Sequence, residues 1–341
     1  NCYDREAVDG DYPKQLYRRG ADGIYRDVAA DFGLGLPDQQ MSSHAWLDAD
    51  GDGDVDLLAF QDAGLFLYRN QAGRYVQEPV KAIDSSAAER IGHTSESTWF
   101  YDGKIVVADV DGDGDADVFV FSKRGNVLLR NEAGRLVPVD PSSVGLPAQS
   151  MTGAWVDYDN DGRLDLHLVP QGLYRQVEGG RFVRSGSPGI DEATYRAGIA
   201  NWLDIDNDGR PDLVLAVNPD PSASDQPWWS FDRKRVRNNT WELHAYRNTG
   251  SAGHWLQVDL HGPAGNRQGI GAVVSIEAGG ARQTRIVGAA DGSFFSQGHY
   301  RSYFGLGDQA RATRVRVQWT DGVVQDLGPV DADRVLKVSR P

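Results

Sequence analysis

A single cysteine, Cys2, in 341 residues rules out a disulfide framework. No apolar run approaches the roughly eighteen residues that a membrane-spanning helix needs. Positive charge is scarce: 35 Lys and Arg stand against 49 Asp and Glu, for a net charge of −14. With no basic stripe anywhere, a nucleic-acid partner is excluded. HExxH, P-loop and dinucleotide fingerprints are missing, and no G-x-S-x-G nucleophile elbow surrounds a serine. No signal-peptide pattern opens the chain, which fits a mature or trimmed form. Cys2 is read as a dispensable thiol on a loose terminus; Asn1 before it is a poor residue for a lipid-attachment motif, the alternative role.

What the chain does have is aspartate in a fixed grammar. DADGDGDVD places Asp48, Asp50, Asp52, Asp54 and Asp56 within nine positions. Carboxylates this close repel one another and raise each other's pKa values, so a cation is expected among them. The spacing D-x-D-x-D-G-x-x-D suits calcium, a hard ion taking six to eight oxygens: carboxylates at positions 1, 3 and 5, a backbone carbonyl at 7, and Gly at 6 for the turn. It departs from an EF-hand because the closing carboxylate falls at position 9 and a strand pattern follows, with no flanking helix.

The grammar returns three times. DVDGDGDAD carries Asp109, Asp111, Asp113, Asp115 and Asp117; DYDNDGRLD carries Asp157, Asp159, Asp161 and Asp165; DIDNDGRPD carries Asp204, Asp206, Asp208 and Asp212. The position-7 carbonyls would come from Asp54, Asp115, Arg163 and Arg210. About four Ca²⁺ are expected, and they would cancel more than half of the net charge. Their role is expected to be structural, since five or six protein oxygens per loop leave room for about one water.

Each loop sits in a larger unit. An apolar or aromatic residue precedes it (Trp46, Val107, Trp155, Trp202), a strand such as VDLLAF or ADVFVF follows, and LFLYRN, NVLLRN, GLYRQ or LHAYRN comes next. GRYV, GRLV or GRFV completes the first three units. A period near fifty residues with about four short strands per unit points to propeller blades. Residues 12–250 are read as a calcium-binding β-propeller of four or five blades, and as seven if the C-terminal region contributes. QLYRRGADGIYRDV at 15–28 matches half a unit, and these residues are expected to close the ring on the fourth unit, which lacks its last strand.

Residues 251–341 form a second all-β segment. WLQVDL, AVVSIEA, RQTRIVGA, RVRVQW and RVLKV alternate apolar and polar residues between GG, DG and GD turns, the pattern of a small β-sandwich or partial barrel.

The four loops with their strands resemble FG-GAP/VCBS-type repeats of calcium-binding propellers. HWLQVDL, NRQGIGAVVSI, DGSFFSQ, YFGLG and VRVQWTDGVVQDL resemble the ASPIC/UnbV domain that follows such repeats in the cartilage acidic protein family. One departure is WTDG at 319–322, where relatives usually carry proline after the tryptophan.

Two inserts interrupt the repeat and are the candidate ligand sites. Residues 218–241 carry Trp228, Trp229, Phe231 and Trp241 beside Arg233 and Arg235; aromatic faces stack on sugars, and arginines grip carboxylates or sulfates. Residues 84–103 carry His93, Trp99 and Tyr101. The expected function is a calcium-stabilised binding protein for a glycan, protein or small-molecule ligand; the alternative is a propeller-based enzyme of specialised metabolism. Weak calcium sites with Kd near ~10⁻⁴–10⁻³ M fill outside the cytosol, so an extracytoplasmic location is expected.

Overall fold

A computed structural model describes residues 15–35, 41–61, 64–80, 104–122, 125–150, 152–186, 195–219, 241–250, 253–289 and 300–341. Among these residues the chain is all-β; its only helical element is a short 3-10 turn at Pro141–Val144.

After a hairpin of β1 (Tyr17–Arg19) and β2 (Tyr25–Asp27), four antiparallel meanders follow one another. The first holds β3 (Met41–Leu47), β4 (Asp56–Gln61), β5 (Gly64–Gln71) and β6 (Arg74–Pro79). The second holds β7 (Lys104–Ala108), β8 (Asp117–Phe121), β9 (Val127–Glu132) and β10 (Arg135–Val139). The third holds β11 (Thr152–Val156), β12 (Asp165–Val169), β13 (Gly172–Val177) and β14 (Arg181–Arg184). The fourth has three strands among the described residues: β15 (Tyr195–Leu203), β16 (Asp212–Pro219) and β17 (Glu242–Tyr246).

Every acidic loop joins the first and second strands of its sheet, and in the first three sheets that second strand is buried on both faces. β4, β8 and β12 are buried at every residue, which is why the sequence after each loop is a continuous apolar run rather than an alternating one. The two faces of one strand serve two neighbours. Val118 and Val120 of β8 pack with Leu58 and Phe60 of the first sheet, while Phe119 and Phe121 pack with Trp155, Leu166 and Leu168 of the third. Val169 in turn packs against Ala200, Leu213 and Leu215 of the fourth. The sheets therefore stack face to face in chain order, with β3 against β7, β7 against β11 and β11 against β15.

The outer hairpins of the first two sheets are set by two-residue turns. Ala72 and Gly73 (φ 54° and 89°) and Ala133 and Gly134 (φ 50° and 88°) join strands whose ends pair as Gln71 with Arg74 and Glu132 with Arg135. Two consecutive positive φ values match the right-handed twist of the strands they connect.

The segment expected to close the fourth sheet does something different. β1 pairs with β2, and among the described residues β17 pairs only with β16. Leu16, Ala29 and Leu34 instead cover Leu57, Ala59 and Tyr68, the face of the first sheet turned away from the second, and Tyr75 donates its N–H to the Phe32 carbonyl. Burial of these apolar side chains on that face, rather than hydrogen bonding to the edge of β17, holds the segment.

The remaining strands form two sheets around one core. β18 (His254–His261) lies between β21 (Ser302–Gly307) and, in parallel, β24 (Arg334–Ser339). β19 (Val273–Ala278), β20 (Ala281–Ile286), β22 (Arg311–Gln318) and β23 (Val324–Asp331) form the other sheet in the order β20-β19-β22-β23. Leu256, Val258, Val274, Ile276, Phe304, Val315 and Trp319 fill the space between them, the sandwich that the alternating pattern implies.

Candidate metal centres

Each acidic loop is wound by its own carboxylates. Positions 4 and 6 both adopt the left-handed conformation: Gly51, Gly112, Asn160 and Asn207 at position 4 (φ 56–79°), and Gly53, Gly114, Gly162 and Gly209 at position 6 (φ 88–102°). Glycine and asparagine are the residues that reach this region at least cost. The position-1 carboxylate accepts from backbone N–H groups inside the turn. Asp48 takes Gly51 N (2.8 Å) and Gly53 N (3.0 Å), and Asp204 takes Asp208 N (3.0 Å) and Gly209 N (2.9 Å). At position 7, the N–H groups of Asp54, Asp115, Arg163 and Arg210 all donate to the position-5 carboxylates Asp52, Asp113, Asp161 and Asp208.

The closing aspartate is a clamp between strands. One oxygen of Asp56, Asp117, Asp165 and Asp212 accepts the position-2 N–H, from Ala49, Val110, Tyr158 and Ile205. The other accepts the N–H of Asn70, Asn131, Gln176 or Asn248 at the end of the third strand.

These turns bring three carboxylates together in every loop. Asp48, Asp50 and Asp56 converge, as do Asp157, Asp159 and Asp165, and Asp204, Asp206 and Asp212, with ligand oxygens within 4.8 Å of one another. In the second loop the convergent set is Asp109, Asp111 and Asp113, while Asp117 pairs with Arg130 at 2.9 Å. Asp109 Oδ2 and Asp159 Oδ1 are buried with no hydrogen-bond donor. Burial, reinforced by neighbouring carboxylates, pushes Asp157 up to about 7 and Asp165 up to about 9. Burial likewise raises Asp117 to about 6 despite Arg130. Oxygen-only donor sets with orphaned buried oxygens fit a hard divalent cation, which would supply the missing positive charge.

Two sets of residues in the third-strand signature have roles that sequence reading passed over. The arginine of each YRN, LRN or YRQ run reaches the position-3 carboxylate of its own loop: Arg69 to Asp50 (3.0 Å), Arg130 to Asp111 (3.7 Å), Arg175 to Asp159 (2.6 Å) and Arg247 to Asp206 (2.6 Å). The next residue latches successive units. Asn131 donates through Nδ2 to the Ala49 carbonyl (3.0 Å), Gln176 through Nε2 to Val110 (3.1 Å), and Asn248 through Nδ2 to Tyr158 (2.8 Å). In each case the acceptor is position 2 of the preceding loop. The repetition of R-N/Q was visible in the sequence; its pairing with the loops required the fold.

The FG-GAP-like repeat model matches residues 48–120 and 109–168, and the ASPIC and UnbV model matches residues 262–341. The chain thus carries FG-GAP-like repeats followed by an ASPIC/UnbV domain. The fourth acidic loop lies beyond the matched repeats yet has the same turn geometry. β18 precedes the matched ASPIC/UnbV segment and pairs with β21 and β24 inside it. No curated protein matches the chain. Among solved structures it is similar to an Agrocybe aegerita lectin that recognises non-reducing terminal N-acetylglucosamine, with 16% identity, TM-score 0.37, and 86% of this chain and 82% of that one covered. It is also similar to the V. cholerae biofilm matrix protein Bap1, with 12% identity, TM-score 0.35 and 84% of this chain covered; it spans about half of that protein, 48%.

The ASPIC/UnbV domain lies across the acidic loops. A Cβ on Gly114 would stand 3.3 Å from the Arg282 guanidinium, one on Gly162 would stand 3.2 Å from Gln283 Nε2, and one on Gly209 would fall 2.0 Å from the Trp255 ring. A Cβ on Gly53, in the first loop, would meet open space. Beside the fourth loop is an open cleft of about 430 Å³, lined by Asp208, Arg210, His254, Trp255, Asp308 and Asp333, in which His254 Nδ1 and Asp333 Oδ2 are 2.7 Å apart.

Of the candidate ligand-binding residues, Trp241 lies among the described ones: it is 42% exposed, directly before β17. Trp228, Trp229, Phe231, Arg233, Arg235, His93, Trp99 and Tyr101 lie outside the described residues. No helix among the described residues is long and apolar enough to cross a membrane.

Proposed function

We propose that the chain is an extracytoplasmic β-propeller in which four calcium ions hold the acidic loops, and that it acts as a binding protein for a glycan or protein ligand. The metal part is supported by the four convergent carboxylate triplets, two of which bury an oxygen with no donor. The face-to-face stacking of the repeat sheets supports the blade arrangement. Calcium neutralises the loops and pins the first strand of each sheet to the second; no bond-making step is assigned to it.

The ligand part rests on one observation. Trp241 and Leu243 at the start of β17 are 42% and 73% exposed, an apolar edge that follows directly on the aromatic-basic insert in the sequence. Large apolar side chains left in water beside a cationic segment are what a stacking surface for sugars or a protein contact requires. Replacing Trp228 and Trp229 with Ala tests the assignment. Binding to a glycan array should be lost while stability stays within about 1 kcal/mol of the parent, as for a surface change. A loss of about 3–5 kcal/mol per residue with binding retained would instead mark them as buried packing and overturn the assignment.

A further inference from the structure

The position-1 aspartates of the third and fourth loops are shared between two tasks. Asp157 Oδ2 accepts Gly162 N (2.9 Å) within its loop and Gly305 N (3.1 Å) from the ASPIC/UnbV domain. Asp204 Oδ2 accepts Gly209 N (2.9 Å) within its loop and Gln257 Nε2 (2.6 Å) from β18. The same oxygens belong to side chains of the convergent triplets, so a cation that fixes them also fixes the acceptors on which the domain sits.

The contact is a closed circuit at the fourth loop. Gln257 presents its Oε1 to Arg301 Nη1 (2.9 Å), and that nitrogen also reaches Asn207 Oδ1 (3.0 Å), the left-handed residue at position 4 of the loop. At the third loop the backbone joins in: Gly307 N donates to the Asn160 carbonyl (2.8 Å) and Gly253 N to the Asp159 carbonyl (3.1 Å). Between the second and third loops stands Arg285, over the Phe304 ring at 5.4 Å, and its charge acts on both Asp109 and Asp157. The first loop has none of this. Among the described residues Asp48 accepts only from Gly51 and Gly53.

We propose that the ASPIC/UnbV domain docks on the metal-bound form of the third and fourth loops, so that cation binding there and domain seating are one linked equilibrium from which the first loop is exempt. The inference rests on the calcium reading above. Its physical basis is that a hydrogen bond to a carboxylate has full strength only when the carboxylate is held in place. Without the ion nothing bridges the converging carboxyl groups of Asp157, Asp159 and Asp165, or of Asp204, Asp206 and Asp212, and the acceptors of Gly305 and Gln257 are no longer held in place. Linkage then works in both directions: whatever the ion contributes to docking, docking contributes to the affinity for the ion.

Hydrogen exchange on the full chain, with calcium and after chelation, reads the docking directly at residues 300–307, where Gly305 and Gly307 donate their amides across the junction. Chelation should speed exchange there at least tenfold. Asp48→Asn should remove one bound calcium and leave residues 300–307 protected. Gln257→Ala, which touches no ion itself, should weaken calcium binding at one site by between about 5- and 150-fold, the usual range of a coupling between sites. Protection at 300–307 that survives complete removal of bound calcium would overturn the inference while leaving the calcium reading intact, as would a Gln257→Ala protein with unaltered calcium affinity. A chain that takes up no calcium in the same titration overturns both.

Discussion

A glycine at position 6 of every acidic loop answers to two constraints that can be separated. All four have φ of 88–102°, but only three lie against the ASPIC/UnbV domain. Gly53→Ala therefore carries the backbone cost alone, about 1–2 kcal/mol for an L-residue held in the left-handed region. Gly209→Ala adds a collision with the Trp255 ring and should cost about 2–5 kcal/mol in all, overpacking contributing its usual 1–3. Chemical denaturation of the two variants checks the difference; equal costs would mean that Trp255 moves aside freely. At the residue level the sequence was most legible where a conformation demands one residue type. Gly at position 6 was readable because few other residues tolerate positive φ; Gly or Asn at position 4 obeys the same constraint, which the structure brought out. Gln257, Arg301 and Gly305 were not, because a single side chain or amide reaching across a domain junction leaves no periodic trace.

The strand and its loop are the elements in which the repeat acts. The continuous apolar run after the first three loops is explained by sheets that use both faces of their second strand, and that pattern was plain in VDLLAF and ADVFVF. The latches between units were hidden in a signature that looked like a strand ending. Asn131, Gln176 and Asn248 each donate to position 2 of the preceding loop, whereas Asn70, which has no earlier acidic loop to hold, turns to the Val55 carbonyl of its own unit at 3.3 Å. Replacing Asn131 or Gln176 with Ala leaves a buried carbonyl without its donor and should cost about 1–3 kcal/mol. Asn70→Ala, at a half-buried site with no neighbouring unit to hold, should cost less; urea midpoints across the series give the test, and a flat series would remove the latch from the account. The hairpin β1–β2 is the clearest case in which sequence reading placed an element wrongly. Its LYRR and IYRDV match the outer strands of a unit, but likeness to a strand does not say which edge or face receives it, and Leu16, Ala29 and Leu34 find their burial on the first sheet.

For the molecule as a whole, the acidity is concentrated in four loops whose carboxylates converge, and the second domain is laid over three of them. The repeat period and the alternating C-terminal strands made both halves of the fold legible; how the halves meet depended on shape. The central claim is that bound calcium holds this assembly together, and the most direct test measures ion content and stability on the same sample. Elemental analysis of the desalted full chain should find four calcium ions per chain, and a chelator should lower the melting temperature. Each occupied site adds about 2.7 kcal/mol when free calcium is 100 times its Kd. A chain that carries no calcium and melts identically with and without chelator would contradict the account.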